Sequence, residues 1–316
     1  MSPGRMTKNA GIRGGAGVFG WRAGGKEKGS ALGEAVSDYL RISKEVAVDL
    51  IDFGAVHVQG KMVRDPSAIL SQGQEIIVSF PSNGPSRFYQ IEPARVIFRD
   101  PFLLAYDKEA GIPSQQLPFD AYNNVFAALS RYLLAQKKGG RYVALHHRLD
   151  TETSGVLLFA LDPKANEPIA RAFRESRVKK EYLAWVEGRP ENDRWSCEAP
   201  IGKAGGKYKA LVGGEGKPAR TVFTVLSRQQ DRSLVMAAPA TGRTHQIRIH
   251  LALAGHPVAG DRAYGAKPDN RLYLHAWRLR LKHPVSGKVL SFEVPVPGGW
   301  PHVPEIDWSG DAGGSV

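Results

Sequence analysis

The feature that most constrains this chain is a polar stretch, HHRLDTETSG (residues 146–155), set directly against the unbroken apolar run VLLFAL (156–161). A short continuous apolar run bounded by turn residues is the pattern of a strand buried on both faces. The residues just before the polar stretch, YVAL (142–145), alternate like a second strand. The polar stretch is therefore predicted to be a loop at the rim of a sheet. There a rigid scaffold presents one carboxylate, Asp150, between Arg148 and the hydroxyls of Thr151, Thr153 and Ser154. Taken alone, an aspartate in such a loop caps a turn by accepting backbone N–H bonds.

Composition narrows what the loop can serve. The 316 residues carry a net charge of +12, and a soluble chain with that excess favours a polyanionic partner, nucleic acid first. No run approaches 18 apolar residues, so no spanning helix is predicted. The one cysteine, Cys197, excludes an internal disulfide and a cysteine zinc site, which points to a reducing, cytoplasmic setting.

In chain order, residues 1–30 are Gly- and Lys/Arg-rich and are predicted to be a disordered basic tail without a secretory core. Residues 31–82 form a small unit. Ala35, Val36, Tyr39 and Leu40 fall at helical spacing. Ser43 caps a second helix with Val46, Ala47, Leu50 and Ile51 inward, and Gly54 stops it. Short strands follow at 56–58, 61–63 and 76–80. Helices followed by VHVQGKMVRDPSAILSQGQEIIV resemble the small RNA-binding domain named after ribosomal protein S-four. Glu45, Asp49 and Asp52 depart from that pattern, standing where basic residues would grip a phosphate backbone. Residues 83–94 read as a linker, 95–300 as one larger domain and 301–316 as a C-terminal tail.

In the larger domain, helices are expected at 121–137 and 164–174, with Ile169, Ala172 and Phe173 of the latter buried. KKEYLAWVEG (179–188) alternates, placing Tyr182, Ala184 and Val186 on one face and Leu183 and Trp185 on the other. Residues 201–219 read as a mobile basic loop, 221–226 and 234–237 as paired strands, and 274–281 with 289–294 as a closing hairpin. GRTHQIRIHLALAG (242–255) starts polar and becomes helical. Strands and helices are segregated, so the fold class is α+β with a mainly antiparallel, mixed sheet.

Chemistry-bearing residues concentrate in two distant stretches, 146–155 and 242–265. A metal site from His146, His147, Asp150, His245, His250 or His256 lacks ligand spacing: adjacent histidines in a strand point apart, and His245 and His250 are five residues apart. Ser154 lacks the strained elbow of a nucleophile. The remaining reading is chemistry by the lone carboxylate Asp150.

HRLDTETSG with its strand, KKEYLAWVEG, GKPARTVF, GRTHQIRIHLALAGHPVAGDRAYG and LHAWRLRLKHP are similar, in kind and order, to the RluA-type pseudouridine synthases. The likeness covers roughly residues 96–297. It implies isomerisation of uridine to pseudouridine in RNA, with no metal or organic cofactor. It also implies ribosomal RNA ahead of transfer RNA as substrate; nothing in the sequence demands more than a monomer.

By that resemblance Asp150 is the catalytic carboxylate, acting as nucleophile or base. Arg243 is the active-site arginine that pairs with it, and Tyr182 stacks on the flipped uracil. Arg148, Lys108 and Lys180 are the expected RNA contacts. His245, Gln246, His256 and Asp261 are expected to hold loops around the site, as Thr151, Thr153 and Ser154 would by side-chain-to-backbone bonds. The segment DKEAG (107–111) keeps a lysine and glycine but lacks the family's proline, and PSQQ (113–116) lacks its histidine. The rival is a non-catalytic RNA-binding or ribosome-assembly factor that keeps the fold.

Overall fold

The computed structural model describes residues 17–25, 27–80, 84–136, 142–211, 215–301 and 303. They divide into two compact units, Met1–Gln90 with Gln115–Leu129, and Ile91–Ser114 with Ser130–Val316. The smaller unit thus takes in residues 115–129, which the sequence reading assigned to the larger domain.

The smaller unit contains β1 (Gly17–Arg22), α1 (Leu32–Leu40), α2 (Lys44–Phe53), β2 (Val56–Val58), β3 (Lys61–Met62) and β4 (Glu75–Phe80). The strands form one sheet in the order β1-β4-β2-β3. Ser43 caps α2 by accepting from the Val46 N–H, and Gly54 ends it at φ +91°. Leu32, Val36, Ala47, Leu50 and Ile51 pack with Val56, Ile76 and Val78 into one core. Val46, expected inward, is exposed.

Strand β1 corrects the expected tail. Its Phe19 and Trp21, two residues apart, face the core of this unit, and Trp21 stacks on Tyr39 at 4.0 Å. Residues 1–16 lie outside those described, as do 304–316 of the expected C-terminal tail. The start of the expected linker is also held. Asn123 Oδ1 accepts from the N–H groups of Phe88 and Tyr89, and its amide donates to Ser86 O.

The larger unit is built on a ten-stranded sheet. Its strands are β5 (Val96–Arg99), β6 (Leu103–Lys108), β7 (Ala144–Leu145), β8 (Ser154–Ala160), β9 (Lys179–Glu187), β10 (Arg194–Cys197), β13 (Thr221–Arg228), β14 (Arg232–Pro239), β15 (Leu274–Lys282) and β16 (Val289–Glu293). The helices are α3 (Val125–Ala135), which spans the division between the units, α4 (Pro163–Arg174) and α5 (Gln246–Leu253). The path runs β10-β13-β14-β9-β15-β8-β6-β5, with β16 beside β15 and β7 beside β8. Only the β8–β15 pairing is parallel among these. The α+β class with a mainly antiparallel, mixed sheet is what the segregated pattern predicts.

Three expectations change. Residues 201–219 contain a hairpin, β11 (Ile201–Ala204) with β12 (Lys207–Ala210), instead of a mobile loop. The strand predicted over 142–145 shrinks to Ala144–Leu145. In α4, Ala165 and Ile169 are buried, while Ala172 and Phe173 are only half-buried against the same cluster.

What positions the site is a single row across the sheet. Lys108 of β6 pairs with Gly155 of β8, Gly155 with Ala276 of β15, Ala276 with Tyr182 of β9, and Tyr182 with Ala237 of β14. Neighbouring strands lie about 4.8 Å apart, so Tyr182 stands roughly 10 Å from the end of the Asp150 loop. Gly155 makes the row possible. Its φ is +112°, and a Cβ there would overlap the carbonyl of Ala276. Gly155→Ala is expected to cost roughly 2–4 kcal/mol, combining left-handed strain with a backbone clash. Urea unfolding of the two proteins measures it.

Candidate active site

The loop between β7 and β8 carries Asp150, and its backbone is held from every side. Leu149, buried, donates its N–H to Ser114 Oγ (3.0 Å), and the same hydroxyl donates back to Leu149 O (2.9 Å). Thr153 N–H donates to Asp150 O, closing a turn. Lys108 is fully buried and donates to the carbonyls of Glu109 (2.7 Å), Ile112 (2.6 Å) and Thr151 (3.0 Å). Three carbonyls match the three donors of an ammonium group, while burial pulls its pKa down to about 7.

Ser154, at the start of β8, faces His275 of β15. His275 Nε2 lies 3.0 Å from Val294 O, which can only accept, so Nδ1 is the bare nitrogen and Ser154 Oγ donates to it (2.9 Å). Arg271 Nη2 in turn donates to Ser154 Oγ. The serine is spent on structure, buried between two partners. Burial lowers the His275 pKa to about 4.

The side chain of Asp150 is 19% exposed and faces the start of α5. Arg248 Nη1 reaches Asp150 Oδ2 at 3.3 Å. The same guanidinium grips Asp261 in a fork, Nε to Oδ2 at 2.6 Å and Nη2 to Oδ1 at 2.8 Å. Burial opposes the charge on Arg248, but the hydrogen bonds and negative charge of Asp261, with those of Asp150, outweigh it and raise its pKa further. His245, in the left-handed region at φ 57°, brings Nε2 to 3.9 Å from Asp150 Oδ2. Tyr182 lies on the inward face of β9, where burial and the charge of Asp150 push its phenol well above the ordinary value.

The helix start is fixed by Gln246. Its Oε1 accepts from Thr241 Oγ1 (2.6 Å) and the Arg243 N–H (3.0 Å), and its Nε2 donates to Arg220 O and Thr221 Oγ1. The arrangement offers one partly exposed carboxylate, Asp150, oriented by a cation and electrostatically coupled to the Tyr182 phenol. Among the described residues no group of three histidines, cysteines or carboxylates could hold a metal ion.

Comparison with known proteins identifies the chain's relatives. A family model described as RNA pseudouridylate synthase matches residues 103–253. The ribosomal large subunit pseudouridine synthase D of Nitrosomonas europaea is 33% identical over 302 residues, covering 87% of each chain. Synthase C of Pasteurella multocida is 34% identical over 247 residues, 74% of this chain and 73% of that one. The chain belongs to the RNA pseudouridylate synthase family, of the RluA type. Among solved structures, human RNA pseudouridylate synthase domain containing 4 superposes with a TM-score of 0.54 at 25% identity, over 65% of this chain and 89% of that one. Its counterpart domain containing 1 gives 0.53 at 28%, over 66% and 87%.

The fold brings Asp150 near enough to Tyr182 for its charge to act on the phenol. It does not bring Arg243 to Asp150. Arg243 donates through Nε to Pro218 O at 2.9 Å, outside α5, whereas Arg248, in the first turn of the helix, holds the aspartate. The arginine paired with Asp150 is Arg248. A usable signal was present: an arginine amid buried helix residues requires a carboxylate, and Asp261 supplies it.

Lys108 is corrected too, since a lysine buried under three carbonyls presents nothing to RNA. Arg148 is exposed and donates to Thr244 Oγ1, and Lys180 donates to Thr241 O while burial, with Arg243 adding, lowers it to about 8. The threonine hydroxyls do not fix the loop as expected. Thr153 Oγ1 is buried with no partner among the described residues.

Two outcomes follow from these contacts. Asp261→Ala leaves the Arg248 guanidinium, 11% exposed, with Asp150 as its remaining anion, and is expected to cost about 3 kcal/mol in chemical denaturation. The second concerns His275, neutral in the folded protein down to about pH 4. The unfolded chain takes up this proton near pH 6.5, so the stability tied to neutral His275 falls as pH drops from 6.5 toward 4. The stability difference between wild type and His275→Gln is expected to shrink by about 1.4 kcal/mol per pH unit across that window. Urea midpoints at pH 7, 6, 5 and 4.5 would show it.

Proposed function

We propose that the protein isomerises specific uridines to pseudouridine in ribosomal RNA, with Asp150 as the catalytic carboxylate. The observation that carries this reading is the partly exposed Asp150 carboxylate, oriented by Arg248 and close enough to Tyr182 for its charge to act on the phenol. The ribosomal substrate rests on the names of the relatives, which are ribosomal large subunit synthases.

In the reaction the bond from the anomeric carbon to the ring nitrogen breaks and one to a ring carbon forms. That carbon releases a proton and the nitrogen takes one, so no co-reactant enters the balance. A carboxylate serves either as nucleophile on the anomeric carbon or as base on the neighbouring carbon. Arg248 orients it without spending its own charge, because Asp261 neutralises the rest of the fork. Tyr182 supports a flipped uracil by stacking. Arg148, exposed beside the loop, occupies the gap left in the RNA stack or its phosphate.

The smaller unit is proposed as an accessory RNA-binding module. Its acids are partly neutralised within the unit: Arg87 pairs with Asp49 (2.6 Å) and Asp52 (2.9 Å), and Arg64 with Asp52 (2.8 Å).

Asp150→Asn is expected to lower pseudouridine formation at least about 10³-fold while RNA affinity stays within about threefold. Pseudouridine mapping on ribosomal RNA from cells with and without the protein identifies the target. An Asp150→Asn protein as active as wild type would sink the catalytic reading. A wild type forming no pseudouridine in ribosomal or transfer RNA would favour the non-catalytic binding factor.

A further inference from the structure

His245 has a geometry that loop-holding alone does not require. It is one of four described non-glycine residues at positive φ, and it stands at the first position before α5 without capping the helix through its side chain. Its ring is oriented by a chain of hydrogen bonds. The Tyr264 hydroxyl donates its one proton to Tyr208 O (3.1 Å), on β12. Tyr264 Oη must then accept from His245 Nδ1, 2.8 Å away. The Nδ1 nitrogen therefore carries hydrogen, and Nε2 is the free position, directed at Asp150.

The groups facing the ring are Asp150 and Asp261, which favour its charged form, and Arg248 and Arg148, which oppose it. Burial is the largest influence and lowers the pKa, keeping Nε2 a bare acceptor.

Two acceptors, His245 Nε2 and Asp150 Oδ2, thus stand 3.9 Å apart, too far to bond each other. A hydroxyl oxygen about 2.8 Å from Nε2 can donate to it beside Asp150. We infer that the ribose 2′-hydroxyl of the target nucleotide donates its one proton to His245 Nε2, beside Asp150, making His245 a substrate-positioning residue that recognises the ribose. This rests on Asp150 acting at the anomeric carbon. The 2′-hydroxyl sits on the adjacent carbon and is the nucleotide donor nearest that centre, whereas the N–H of uracil lies across the ring. A contact to this hydroxyl also separates RNA from DNA at the reacting residue.

The test is a coupling measurement. An oligoribonucleotide containing the mapped target, with ribose or 2′-deoxyribose at that one uridine, is turned over by wild type and His245→Leu under single-turnover conditions. On ribose, His245→Leu is expected to slow the reaction about tenfold to hundredfold. On deoxyribose the same substitution is expected to change the rate less than about twofold, because the group it served is gone. His245→Gln, which keeps an acceptor oxygen, should recover part of the loss on ribose only.

A His245→Leu penalty equal on both sugars overturns the inference, since a merely structural role slows both alike. If His245→Leu does not fold, Tyr264→Phe, which frees the imidazole to turn over, carries the same comparison with a smaller penalty expected. Affinities of the two oligonucleotides provide the same coupling in binding. Asp150→Asn on the ribose substrate is the separate control: full activity there refutes the Asp150 reading itself, whatever His245 shows.

Discussion

The site depends on Arg248 being shared between two carboxylates of unequal accessibility. Asp261 has no exposed side-chain surface and takes the guanidinium in a fork, which fixes its plane and leaves Nη1 to reach out. Asp150, less buried, is met by the remaining nitrogen, Nη1. A partly buried arginine with a single partner would be costly and poorly oriented. With Asp261 as a permanent partner, the contact to Asp150 can strengthen or loosen as a substrate arrives, and no charge is stranded. The turn-rich segment after α5 and the Asp150 loop are thereby tied to one helix turn, and Arg248 also lies 5.2 Å over the Tyr264 ring.

The backbone beneath this contact is held by several hydrogen bonds on the Asp150 side. Lys108, Ser114 and Gly111 together hold the carbonyls of Thr151 and Leu149 and the Leu149 N–H. Lys108 shares its sheet row with Gly155, Ala276 and Tyr182, so the clamp on the loop and the aromatic ring belong to one rigid line. Strand pairing converts a loop carboxylate into one with a defined position. That is the order a reaction at a single carbon demands.

Much of this was legible in sequence, and the failures have physical causes. The VLLFAL run, the alternation around Tyr182 and the Ser43 and Gly54 boundaries are local patterns, and the elements lie where those patterns put them. Strand β1 was not legible because two glycines in GVFGWR dilute the apolar pattern, and only pairing with β4 in its own unit makes it a strand. The Arg243 assignment failed because a motif indicates which stretch meets the aspartate but not which of two arginines five residues apart does. That is decided by where α5 begins, and Gln246, by bonding the Arg243 N–H, sets that point. Lys108 was misread because a charged residue beside a glycine resembles a ligand contact. Its burial depends on carbonyls from segments 43 residues apart, invisible to local pattern.

The charge of the chain acquires a location from the same contacts. Arg248 is fully committed to carboxylates, but Arg148, Arg243 and Lys180 donate only to neutral oxygens: a threonine hydroxyl, the Pro218 carbonyl and the Thr241 carbonyl. Such bonds orient a cation without cancelling its charge. Lys180 and Arg243 also repel one another, which contributes to the lowered Lys180 pKa, and a bound phosphate would relieve that repulsion. The charge of these three side chains is therefore left uncancelled by carboxylates among the described residues. The pairing of acids with bases in the larger unit thus separates two cases: Asp261 keeps Arg248 oriented, while these three cations keep their share of the net positive charge that favours a polyanion.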